Sequence, residues 1–87
     1  MPGPEVILYT RKGCHLCEEA KSQIAPLLRE FNAALLEVDI DSDPALRKKY
    51  DVDVPVLFVA GKKAAKHVVD LKQFRRRLQE ASQSGQS

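Results

Sequence analysis

Between Glu5 and Tyr9 the chain reads EVILY, an apolar, β-branched run with Pro4 before it and Gly13 shortly after. Such a run predicts a buried strand. The period then changes: Leu16, Ala20, Ile24, Leu28 and Phe31 stand four, four, four and three residues apart, with Glu18, Glu19, Lys21 and Arg29 off that stripe. This spacing predicts an amphipathic helix, and its acidic first turn suits the positive end of the helix dipole. Pro26 lies inside the pattern and is expected to kink the helix or split off its last turn, because proline has no N–H for the preceding turn. A second strand is predicted over ALLEVDI, Ala34 to Ile40. Asp43 and Pro44 then suit an N-cap and a first helical position, opening a short helix through Tyr50. A third strand from Val56 to Ala60, a turn at Gly61-Lys62 and a weaker partner strand through Val69 follow. Asp70 with Gln73 three residues later is a variant of the capping box, and Leu71, Phe74 and Leu78 give a last amphipathic helix.

The order is therefore β-α-β-α-β-β-α. A strand, a long helix and another strand require a parallel pair with a crossover, whereas strands joined by a two-residue turn are antiparallel. The expected fold class is α/β: a three-layer sandwich, with a four-stranded mixed sheet between helices on both faces. A chain of 87 residues builds one hydrophobic core. Residues 1–81 are expected to form that single domain, and the polar, glycine-containing segment 82–87 a disordered tail.

Composition narrows the function classes. The hydrophobic share of 44% and charged share of 30% are those of an ordinary soluble protein. A formal charge of +2 is too small to demand an acidic partner. The densest basic run, Arg75-Arg76-Arg77, falls on a terminal helix and reads as a solvated face, and the few aromatic residues are not interleaved with basic ones. No nucleic-acid partner is expected. No membrane partner is expected either, since no stretch approaches the ~20 apolar residues of a span. The start of the chain lacks the charged and apolar regions of a signal peptide. The expected address is the cytoplasm and the expected state a monomer.

The chemistry concentrates in YTRKGCHLC, Tyr9 to Cys17, which holds both cysteines of the chain. Gly13 permits a tight turn, and Cys14 then falls at the start of the first helix. Unpaired backbone N–H groups and the macrodipole stabilise negative charge there, which favours the nucleophilic thiolate. Cys17 lies one turn later on the same side of the helix, where it can attack a mixed disulfide on Cys14. Arg11, Lys12 and His15 add positive charge nearby. Leu16 reads as core-facing or as apolar shielding beside Cys17. A Cys14–Cys17 bond closes too small a loop to be a useful staple. Two inert buried thiols are a further reading. A mononuclear zinc site needs about four ligands, and only His15 and His67 could join the cysteines. An iron–sulfur cluster or another soft metal held through Cys14, or shared between two chains, stays open, as does a non-catalytic adaptor.

The second informative stretch is DVPVLF, where Pro55 stands just before a strand that should be central. Proline cannot donate to a ladder and is tolerated at a strand's first residue. From local sequence alone a trans Val54–Pro55 bond is expected, as cis is found in only about one X–Pro bond in twenty.

YTRKGCHLC after a strand, VPVLF about 40 residues after Cys14, and the element order together resemble the glutaredoxins of the thioredoxin-like superfamily, from about Val6 to Leu78. The resemblance implies a thiol–disulfide oxidoreductase with Cys14 as nucleophile and Cys17 as resolving thiol. It implies a cis Val54–Pro55 bond facing the sulfurs, with Val54 offering its backbone to a substrate, and Arg11 meeting the glycyl carboxylate of glutathione. No tightly bound cofactor is implied. Glutathione enters as a possible co-substrate, and either glutathione or a thioredoxin reductase system as the reductant of a protein that reduces protein or small-molecule disulfides. Two departures stand out. The residues between the cysteines are His15-Leu16 rather than Pro-Tyr or similar, and Lys66 and His67 occupy the place of the family's Gly-Gly pair.

Overall fold

A computed structural model describes residues 3–84 and gives the order β1 (Glu5–Thr10), α1 (His15–Glu30), β2 (Ala34–Asp39), α2 (Pro44–Tyr50), β3 (Val56–Val59), β4 (Lys62–Lys66) and α3 (Leu71–Ser84). A short 3₁₀ turn, Ile40–Ser42, follows β2. The sheet order is β2-β1-β3-β4. β1 and β2 are parallel with Thr10 opposite Asp39, β1 and β3 are antiparallel with Leu8 opposite Leu57, and β3 and β4 are antiparallel.

Alternation along the central strands supplies the layers, since successive side chains point to opposite faces. Val6, Leu8, Leu57 and Val59 share one face and pack with Ile24 of α1 and Phe74 and Leu78 of α3. Val56, with Tyr9 and Phe58 beside it, faces the other way, toward Leu46 and Tyr50 of α2. The result is the expected three-layer α/β sandwich. Caps set the helix starts. The Asp43 carboxylate accepts from the Ala45 N–H at 2.9 Å, and Asp70 from Lys72 and Gln73 at 3.0 and 3.3 Å.

Several expectations are corrected. Pro26 does not split α1, which continues to Glu30. Pro26 is on the exposed face, so water can meet the Ser22 carbonyl that lacks a donor. The β3–β4 turn falls on Ala60 and Gly61, at φ +50° and +84°, one residue earlier than the sequence suggests. Positive φ at both central residues matches the twist of the flanking strands. β4 stops at Lys66 rather than Val69, because His67 takes φ +69° and the Val68 N–H turns back to the Lys66 carbonyl at 2.7 Å. α3 runs through Ser84, so Ser82, Gln83 and Ser84, expected in the tail, form its end, while residues 85–87 lie outside the described residues.

Candidate active site

The first β–α turn positions the sulfurs. The Cys14 N–H donates to the Arg11 carbonyl at 3.3 Å, closing a four-residue turn whose third residue, Gly13, adopts φ +77°. That left-handed conformation is what glycine supplies without steric cost. Cys14 is the N-cap of α1, in extended conformation, and its Sγ accepts the Cys17 N–H at 3.1 Å. A sulfur held against an orphan backbone donor at a helix N-terminus is stabilised as an anion. Cys14 and Cys17 are disulfide-bonded, with Cα atoms 5.2 Å apart. Their surroundings differ: Cys14 is half-buried, whereas Cys17 is only 2% exposed. Cys14 is thus the more accessible of the two cysteines.

Below the sulfurs lies a small buried cluster of Cys17, Ile40, Tyr50, Val54 and Val56, with Cys14 and Tyr9 against it. Tyr9 and Tyr50 stack with centroids 4.7 Å apart. The Val54–Pro55 bond is cis, as the resemblance implies and against the local expectation of trans. Pro55 is buried, and its carbonyl accepts the His67 N–H at 2.7 Å. Cys14, Cys17 and Val54 therefore meet in one cluster.

Arg11 is engaged within the chain. Its Nε and Nη2 donate to the two carboxylate oxygens of Asp41 at 3.2 and 2.8 Å, and Nη1 donates to the Asp51 carboxylate and carbonyl at 2.8 and 3.1 Å. These bonds raise the Arg11 pKa still further above its ordinary range, and the Arg11 fork holds the Asp41 carboxyl below the usual carboxylate range. Lys12 is exposed on the turn. His15 is exposed at the start of α1, its Nε2 lying 3.3 Å from Glu19. Leu16 is 36% exposed and does not face the core, because the stripe that packs inward runs through Cys17, Ala20 and Ile24. Lys66 and His67 are both exposed, and Lys66 Nζ lies 3.8 Å from Asp53, just before Val54.

Sequence reasoning missed Asp41 and Asp51. The parallel ladder ends with Thr10 opposite Asp39, so Arg11 and Asp41 both follow within two residues of the last pair, and part of that signal was readable. Asp51 comes from the end of α2 and has no such marker. Among the described residues no group of three potential metal ligands occurs, and no helix is long and apolar enough to cross a membrane.

Comparison with known proteins bears on the family and the fold. The family described as glutaredoxin-like domain (DUF836) matches residues 5–79. The chain belongs to this glutaredoxin-like family. A solved X. campestris protein is 35% identical, with a TM-score of 0.71 over 87% of this chain and 97% of that one. A Nitrosomonas europaea protein solved by NMR is 28% identical, with a TM-score of 0.71 over 90% of this chain and 94% of that one. An uncharacterised Mycobacterium tuberculosis protein is 31% identical over 75 residues, covering 80% of this chain and 77% of its own. The fold of this glutaredoxin-like chain is thioredoxin-like, and its cysteine pair sits at the β1–α1 junction.

Proposed function

We propose that the protein is a thiol–disulfide oxidoreductase. The observation that carries this reading is the asymmetry of the pair: a half-buried Cys14 capping a helix, and a Cys17 only 2% exposed behind it. In the reduced protein the Cys14 thiolate attacks one sulfur of a substrate disulfide. The substrate S–S bond breaks, a mixed disulfide forms, and the departing thiolate takes a proton. Cys17 then loses its proton and attacks Cys14 Sγ, releasing the second substrate thiol and leaving the Cys14–Cys17 disulfide. Two electrons pass to the substrate, and an external thiol reductant restores the dithiol.

The substrate class we favour is a protein disulfide. Of five exposed large apolar side chains among the described residues, three stand within two residues in sequence of a residue of the site. Leu16 lies between the cysteines, Val52 two residues before Val54, and Val68 beside His67, whose N–H bonds Pro55. Exposed apolar side chains on the segments that carry a reactive disulfide suit a protein surface. Glutathione fits less well. Arg11 is bonded to two carboxylates of its own chain, and Lys66 and His67 add bulk where the family has glycine.

The test is direct. The reduced protein should reduce a protein disulfide, and Cys17→Ser should accumulate the mixed disulfide. In a glutathione-coupled assay the rate should be no more than about a tenth of an ordinary glutaredoxin's, equivalent to roughly 1.4 kcal/mol of transition-state stabilisation. Replacing Lys66 and His67 together by glycine should raise it. Strong glutathione-coupled activity in the unaltered protein would reject that choice of substrate and reductant.

A further inference from the structure

Arg11 occupies a singular place in the chain. Its carbonyl accepts the Cys14 N–H, so it opens the turn that sets the nucleophile. Its guanidinium makes four hydrogen bonds, two to Asp41 after β2 and two to Asp51 after α2. Asp51 begins the segment leading to Val54 and Pro55, and within that segment the Asp53 N–H donates to the Tyr50 carbonyl at 2.9 Å. Tyr50, immediately before Asp51, stacks on Tyr9 of β1, two residues before Arg11. Both walls of the site therefore converge on one side chain. Only a planar fork satisfies this geometry: an ammonium cannot present parallel donors to one carboxylate and further donors to a second.

We propose that Arg11 is a positioning residue of the thiol–disulfide reaction, tying the Cys14 turn to the Val54–Pro55 segment and screening the nucleophile from Asp41 and Asp51. This proposal rests on the oxidoreductase reading given above. The three groups together carry a formal charge of −1 when ionised. Removal of the arginine leaves two carboxylates, a charge of −2, on the two segments facing the Cys14 turn. The other charged or titratable groups on the surrounding elements are Lys12 on the turn, His15, Glu18 and Glu19 in the first turns of α1, Asp39 at the end of β2, Arg47, Lys48 and Lys49 in the last turn of α2, of which Arg47 acts on Asp41, and Asp53, Lys66 and His67 near the proline. Among these, His15 pairs with Glu19 and Lys66 with Asp53, and neither bridges the two walls.

Two variants separate the two roles. Arg11→Ala removes both charge and fork, whereas Arg11→Lys keeps the charge and loses the fork. Three measurements are made on each full-length variant. They are the pH profile of Cys14 alkylation by iodoacetamide in the reduced protein, amide hydrogen exchange at Asp53, and kcat/KM for reduction of a protein disulfide. For Arg11→Ala the alkylation profile should move to higher pH, the Asp53 amide should exchange faster, and kcat/KM should fall about tenfold, the scale of a modest misplacement of reacting groups. For Arg11→Lys the alkylation profile should stay near wild type while Asp53 exchange and kcat/KM change as in the alanine variant. If Arg11→Ala does not fold, Arg11→Gln replaces it as the test of screening, and the lysine variant still decides positioning. Wild-type exchange and kcat/KM in Arg11→Lys would overturn the positioning role. An unmoved alkylation profile in a folded Arg11→Ala protein would overturn the screening role. A wild-type protein that reduces no disulfide would reject the oxidoreductase reading itself, while the alkylation profile and the exchange at Asp53, which need no substrate, would still decide whether Arg11 joins the two walls.

Discussion

The two ends of the molecule are both closed by an arginine, and the arginines work under opposite conditions. At the end away from the disulfide, Arg75 of α3 makes three short bonds to the Glu30 carboxylate of α1, at 2.7 to 2.9 Å, and lies 5.8 Å from the Phe31 ring. Beneath it, Phe74, Leu78, Ile24, Val6 and Leu8 are essentially inaccessible to solvent. One cation there meets one anion, across helices already held by apolar burial. At the disulfide end the buried cluster is smaller and includes a sulfur, a tyrosine and the residue before a proline. Arg11 there meets two anions from two loops. The first end is a core with an ion pair on its rim; the second is a set of loops joined by polar bonds over a thin apolar floor. The site should therefore respond to charge, whereas the far end should respond to volume.

The largest expected effect tests whether the disulfide end carries the chemistry. Cys14→Ser should reduce disulfide exchange to background, whereas Cys17→Ser should still make the first attack and appear by mass spectrometry as a trapped adduct. In the reduced wild-type protein Cys14 should alkylate well before Cys17 at neutral pH. Equal rates would remove the asymmetry on which the assignment stands.

The next effect belongs to the far end. Phe74→Ala should cost about 3–5 kcal/mol, the range for a large-to-small change at a closed core position. That is a large part of the ~5–15 kcal/mol available to a domain. Denaturant unfolding reads the loss. Where the variant remains folded, its Cys14 alkylation rate should match wild type, and a large change in that rate would show that the two ends are not separable.

A smaller effect distinguishes the ends by pH. Asp41 titrates below the ordinary carboxylate range because Arg11 bonds its charged form. A depressed carboxylate contributes stability above its unfolded pKa of about 4 and loses it as pH falls through the folded value. Arg11, shifted upward, stays protonated throughout the acid and neutral range, so the pH dependence of the pair lies with the carboxylate. Asp41→Asn should thus be less stable than wild type at neutral pH, and the gap in melting temperature should close on acidification below about pH 4. A gap that widens there would contradict the pairing.

Arg75→Ala should have the smallest effect. Exposed ion pairs contribute roughly 0.2–1 kcal/mol, and Arg75 and Glu30 remain 42% and 48% exposed. Thermal melts should show a small loss that shrinks at high salt, with unchanged disulfide exchange. A loss as large as that of Phe74→Ala would mean that the rim, not the burial, holds this end.

Short-range patterns determined much of this protein on their own. The short apolar runs EVILY and VLFV, the near-four period of α1, Asp43-Pro44 and the Asp70 cap each act within a few residues, so the elements and their order could be read directly. The cysteine spacing and Gly13 likewise specify a dithiol at a helix start, because the turn and the helix N-terminus are local features. Tertiary structure decided what depends on distant partners. Pro26 is tolerated because it sits on an exposed face, and β4 is cut short by the reversal at His67. The helix of Leu71 to Ser84 continues through a polar segment that composition alone marked as tail. Arg11 changed most. From sequence it is a free cation beside a thiol, available to a substrate carboxylate. In the fold its carboxylates come from residues 30 and 40 positions away, because the parallel β1–β2 pair sets both strand ends side by side and the end of α2 returns beside them. Charge is a property of the residue; its availability depends on which other charges the chain's path brings within hydrogen-bond reach.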